Sequence, residues 1–158
     1  MSHPSLHRVL PIPLLALLAA AGVLSAHAES HVPCHTLPNA VLSRAKAEAE
    51  GATIRGCVKE KENGKLTYEV ETVKDGRGRD ILLDASGAVL EVEQEVTPDS
   101  LPAAVAAVIA KAAHGGKVGM IESVTRGDAI ASYETTITSK GQRREVAFTP
   151  QGAPVKAD

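Results

Sequence analysis

The stretch KLTYEVETVKDGRGRDILLDASGAVL, Lys65 to Leu90, decides how the chain folds. Leu66, Tyr68, Val70 and Thr72 alternate with charged residues, and Ile81 and Leu83 do the same after Asp75-Gly76. Period-two alternation on both sides of an Asp-Gly pair is the pattern of a half-buried antiparallel hairpin. Ala85-Ser86-Gly87 then predicts a second turn. The plan recurs at an offset of 65 residues: Tyr133-Glu134 answers Tyr68-Glu69, Gly141 answers Gly76, Val146 and Phe148 answer Ile81 and Leu83, and Gly152 answers Gly87. One offset held across a whole hairpin argues for a duplicated unit.

Ahead of each hairpin lies a helical pattern. Leu37 to Glu50 places Val41, Leu42, Ala45 and Ala49 on one face, and Leu101 to His114 does so with Val105, Val108, Ile109 and Ala112. Thr36 and Ser100 are candidate N-caps, Pro38 and Pro102 suit the first turn, and Gly51 and Gly115-Gly116 suit left-handed C-caps. Strands follow from Thr53 and from Lys117, with turns at Asn63-Gly64 and Gly127-Asp128. Ala88 to Val96 is a further strand that puts Leu90 and Val92 on one face and Glu91, Glu93 and Glu95 on the other, which reads as a solvated row that discourages stray sheet pairing. Its counterpart after Gly152 is short, and Pro154 marks it as an edge.

The expected fold is α+β, two tandem repeats of a helix with an antiparallel sheet, packed as one unit with the sheet able to run across both. Residues 37–96 form the first repeat and 97–158 the second. The link Thr97-Pro98-Asp99 is too short to tether independent domains. Two Tyr, one Phe and no Trp leave aliphatic side chains to supply nearly all the burial. A unit of about 60 residues built that way is marginal alone, so a shared core is expected.

Residues 1–28 read as a secretory signal peptide: no acidic residue, Arg8, an apolar run from Leu14 to Leu24, and Ala26-His27-Ala28 before Glu29. The run is too short to span a bilayer comfortably, and no membrane insertion is expected after cleavage. Losing Arg8 and no carboxylate takes the formal charge from -2 to -3. A periplasmic or secreted location follows. Mild acidity without a basic, aromatic-studded stripe excludes a nucleic-acid binder.

Cys34 and Cys57, with segment 29–36 carrying the first, read most simply as a disulfide in an oxidising compartment. A buried free thiol is a second reading, and a metal set of His31, Cys34 and His35 a third. No nucleophile with a base, paired carboxylate or phosphate loop appears, so neither enzymatic activity nor a cofactor is expected. His114 sits at a helix C-terminus, where an imidazole commonly meets the last carbonyls. Tyr68 and Tyr133 share a register and are expected to pack beneath the helices. Arg77, Arg79, Arg143 and Arg144 cluster at the two equivalent hairpins and are the candidate contact residues.

GATIRGCVKEKENGKLTYEVETVKDGRGRDILLDASGAVL resembles the PepSY and PepSY-like families, and GGKVGMIESVTRGDAIASYETTITSKGQRREVAFTPQGAPV is a looser match, with Thr135 for Val70 and Pro150 for Ala85. The resemblance implies an exported, non-catalytic α+β module, similar in layout to β-lactamase inhibitor proteins. It carries no catalytic residue. The implied function is binding an unidentified protein in the periplasm or outside the cell, with inhibition of an envelope or secreted enzyme as one form. The alternative is an envelope carrier of a small ligand or metal at the N-terminal His/Cys segment.

Overall fold

The computed structural model describes residues 28–62 and 64–155. The signal-peptide reading therefore lies outside the described residues, apart from Ala28, as does Asn63 of the first turn. Strands β1 (Ala28–His31), β2 (Thr53–Glu62), β3 (Lys65–Lys74), β4 (Arg77–Asp84), β5 (Val89–Val96), β6 (Lys117–Arg126), β7 (Ala129–Ser139), β8 (Gln142–Phe148) and β9 (Pro154–Val155) form one antiparallel sheet in sequence order. Helix α1 (Asn39–Glu48) precedes β2, and α2 (Ala103–Ala113) precedes β6.

Both helices cover the same face. Val41 and Ala45 of α1 pack with Val70, Ile81, Leu83 and Val92, while Val105 and Ile109 of α2 pack with Ile121, Tyr133 and Phe148. Val92 and Val96 are two residues apart on β5 and so point to one side. The first joins the α1 core and the second the α2 core. Tyr68 and Tyr133 are buried in these cores, beneath the helices. Tyr68 pairs with Leu83 and Tyr133 with Phe148.

The turns follow their residues. Asp75 and Gly76 have φ of 53° and 79°, and Lys140 and Gly141 have 51° and 79°, the two left-handed positions that a tight two-residue hairpin requires. The Asp84 carboxylate accepts from Ser86 N at 2.8 Å, Ser86 Oγ at 2.6 Å and Ala88 N at 3.0 Å, which fixes the next turn. These bonds hold its carboxyl below the usual range. Gly87 of that turn lies against the backbone of Ala40 in α1.

Some details depart from expectation. The N-caps are Pro38 and Pro102, not Thr36 and Ser100. Those hydroxyls donate instead to Pro33 O and Thr97 O at 2.7 Å each, closing short 3-10 turns before the helices. Leu90 stays 41% exposed because the ladder slips between Leu82 and Leu83, which sets Val89 opposite Leu83 in its place. Cys34 and Cys57 are bonded, with Cα atoms 5.3 Å apart, and tie the N-terminal segment to β2 beside the α1 core.

Candidate functional site

The face of the sheet opposite the helices is where polar groups converge. Cross-strand partners share a face, so the register assigns it directly. Asp80 on β4 stands opposite Glu93 on β5, Glu95 on β5 opposite Glu122 on β6, and Glu122 opposite Glu134 on β7. Like charges directly opposite one another destabilise a sheet. Here they are also drawn out of water: Glu91 and Glu134 are each 7% exposed, and Asp80, Glu93 and Glu122 are half-buried. The expectation of a solvated glutamate row is thus corrected. Two apolar residues of this face, Val124 beside Glu93 and Ala147 beside Glu134, are fully or nearly buried, so the acidic side chains lie over an apolar floor.

Burial is the main cause of the proton affinities that result. Glu93 is pushed up to about 8 by desolvation, then by the charge of Glu122 and by Glu91 and Glu69. Glu122 is raised by burial and by Asp80, Glu95, Glu134 and Glu145. Asp80 rises through burial, against a hydrogen bond from Thr72 N at 3.3 Å. Glu134 rises through burial, against a 2.8 Å bond from Ser132 Oγ. A cation meets the row at β6, where Arg126 Nε donates to Glu91 Oε2 at 2.6 Å. Asp80, Glu93 and Glu122 each offer an oxygen within 4.8 Å of the others. Hard cations take oxygen sets, and so do lysine and arginine side chains.

The four arginines do not form one surface. Arg79 lies opposite Thr72 and Gln94 on the helix side, with its guanidinium 3.4 Å from Gln94 Oε1 and 3.9 Å from Glu48. Arg77 shares that side by strand alternation. Arg144 lies opposite Ile137, also on the helix side, and donates to Ala112 O at the end of α2. Arg143, opposite Thr138, is the member of the set on the outer face. The metal alternative also loses a ligand, because the Cys34 sulfur is in the disulfide and supplies no thiolate, leaving His31 and His35, both exposed. His114 is the left-handed residue that ends α2, with φ of 45°.

Sequence reading missed Asp80, Glu122 and Glu134 as site residues. The alternation of Glu91, Glu93 and Glu95 signalled a face, but only the strand register shows which acids meet across it.

A comparison with curated proteins finds no match. Among solved structures, a DUF2874 family protein from Bacteroides ovatus ATCC 8483 is similar over 77% of this chain and 86% of its own, at 18% identity and a TM-score of 0.60. A DUF2874 family protein from Bacteroides uniformis ATCC 8492 gives 75%, 86%, 18% and 0.61. A BLIP-like protein from Bacteroides fragilis NCTC 9343 gives 79%, 85%, 19% and 0.58. These likenesses show the α+β fold. Residues 38–93, the part of the chain from the start of α1 into β5, match the family described as peptidase propeptide and YPEB domain.

Proposed function

We propose that this protein is an exported, non-catalytic protein-binding module that presents the outer face of its sheet to a partner with basic side chains. The observation that carries this reading is the carboxylate row Asp80, Glu93, Glu122 and Glu134, held together across four strands at a cost in repulsion and desolvation. A cation brought by a partner relieves both terms, so free energy spent in the unbound protein is returned on binding. The tandem reading, one unit from residues 37–96 and one from 97–158, makes the row a feature of the joint between units. Export rests on the leader-like first 28 residues and on the disulfide. The BLIP-like neighbour supports occlusion of an enzyme as one form that such binding takes.

The test is affinity capture from the host's envelope extract, in parallel with the unmodified protein and the triple variant D80N/E93Q/E122Q, followed by titration of the purified partner. Affinity is expected to fall about tenfold or more in the variant and to weaken with salt. A complex indifferent to the triple variant but lost on charge reversal of Arg77, Arg79, Arg143 and Arg144 would move the contact surface to the arginines. Turnover of a substrate by the purified chain would overturn the non-catalytic reading.

A further inference from the structure

The two halves of the sheet meet at one ladder. Helix α1 packs on β4, α2 packs on β6 and β7, and the two buried cores are separate clusters. Between them, β5 and β6 are paired from Val92 with Thr125 to Val96 with Ile121. Val92 belongs to the α1 core, whereas Val96 and Ile121 belong to the α2 core, so the two ends of the ladder are held by different helices. Its middle is polar on both faces. On the helix side Gln94 stands opposite Ser123, whose hydroxyl donates to Gln94 O at 3.4 Å. On the outer side Glu95 stands opposite Glu122, with Glu93 next to them on β5.

Several acids near this seam are tied to one half or the other. Asp80 accepts from Thr72 N at 3.3 Å and Glu95 from Gly78 N at 3.1 Å, both within the α1 half. Glu134 accepts from Ser132 Oγ within the α2 half. Glu93 and Glu122 come instead from opposite sides of the seam, and with Asp80 they bring oxygens within 4.8 Å of one another. The groups that face this pair are Glu69 on β3, Asp80 on β4, and Glu91 and Glu95 on β5. From the other half come Glu134 on β7 and Glu145 on β8. Arg126 on β6 is the cation of the set, and its Nε is engaged by Glu91.

We propose that the β5–β6 seam is a proton-controlled hinge. While Glu93 and Glu122 hold protons they pack together and draw the outer faces of the two halves inward. Once both are ionised, repulsion across the seam splays that face, loosens the ladder around Glu93 to Glu95, and brings α1 and α2 closer on the other side. The repulsion is strong because both carboxyls are half-buried and poorly screened by water. The closed form carries the extra protons, so raising the pH favours the open one. The elevated proton affinity of Glu93, about 8, sets the change on the alkaline side of neutrality. The bend belongs to the folded protein, is separate from unfolding, and needs no partner.

Amide exchange followed by NMR in the presence of EDTA, corrected for the intrinsic pH dependence of exchange, separates this bend from a general loss of stability. Protection along residues 92–96 and 121–125 is expected to fall about tenfold from pH 6 to pH 8.5, relative to the β3–β4 and β7–β8 ladders. E93Q should hold the seam near its pH 6 protection throughout, and E122Q covers the case in which E93Q fails to fold. Spin labels on S43C and A107C, at exposed positions of α1 and α2, should approach one another over the same pH range and stay at fixed separation in the glutamine variant. An equal loss of protection on every strand, a label separation that does not change with pH, or a variant that keeps the pH dependence would overturn the proposal.

Discussion

Arg126 on β6 reaches across to β5 and places Nε 2.6 Å from Glu91, a residue with only 7% of its surface exposed. The pair spans the seam at which the sheet passes from the α1 half to the α2 half, where β5 and β6 are joined by the ladder from Val92 to Val96. Replacing Arg126 by Ala leaves a buried carboxylate without that partner, and a loss of about 2 kcal/mol is expected in urea unfolding, less than for a fully buried pair because Arg126 itself is half-exposed. E91Q/R126M should recover most of the loss, since the uncompensated charge goes with its partner. Equal losses in the single and double variants would show that the pair contributes little.

Stability should fall as pH rises. Glu93 ionises near its ordinary 4.5 when unfolded and near 8 when folded, so the folded chain holds the extra proton between those values. Folding is favoured most below the lower value and loses that advantage as pH climbs through the upper one. Glu122, Asp80 and Glu134 shift in the same direction and reinforce the slope. The urea midpoint is therefore expected to decrease from pH 5 to pH 8.5. E93Q should flatten the curve and lie above the unmodified protein at the alkaline end. A midpoint that increases over this range would contradict the crowding of the carboxylates.

Reduction of the Cys34–Cys57 bond, or the double substitution C34S/C57S, is expected to cost about 3 kcal/mol, the chain-entropy value for a loop closed at a separation of 23 residues. Comparison of unfolding midpoints with and without reductant measures it. Because Cys57 is 2% exposed and packs in the α1 core, the effect should appear in the protection of α1 and β2 before that of α2.

Two turn glycines separate conformational strain from contact. Gly76 has φ of 79° and nothing within 4 Å of a built Cβ, so G76A should cost about 1 kcal/mol. Gly87 has φ of 87°, and a Cβ there would stand 2.9 Å from the carbonyl carbon and oxygen of Ala40. G87A must also push α1 away from the turn, and a cost of about 2 kcal/mol or more is expected. Similar losses at both positions would mean that α1 yields freely.

Local chemistry made much of the fold legible. Asp75-Gly76 can take two consecutive left-handed residues, and the apolar alternation around it leaves one choice of inward face. The edge position of β9 was also readable, because Pro154 has no backbone N–H to donate to a further strand. What escaped depends on register. Leu90 alternates with Val92 in sequence, but a slip of one residue at Leu82 and Leu83 sends Val89 inward. Thr36 and Ser100 have the chemistry of helix caps, yet a nearer carbonyl three residues back claims each hydroxyl. Glu91 looks solvated until Arg126, 35 residues later, is laid beside it. Arg143 and Arg144 look like one patch, and strand alternation divides them between two faces.

The strictly sequential strand order bears on how the chain is made. Every strand from β2 onward finds a neighbour already synthesised just before it, so no segment must wait for a distant partner. Such short-range topology is associated with fast folding for a β-rich chain. It also suits a polypeptide delivered one end first, since the sheet can grow by one strand at a time, and each newly exposed edge is covered by the next strand to emerge.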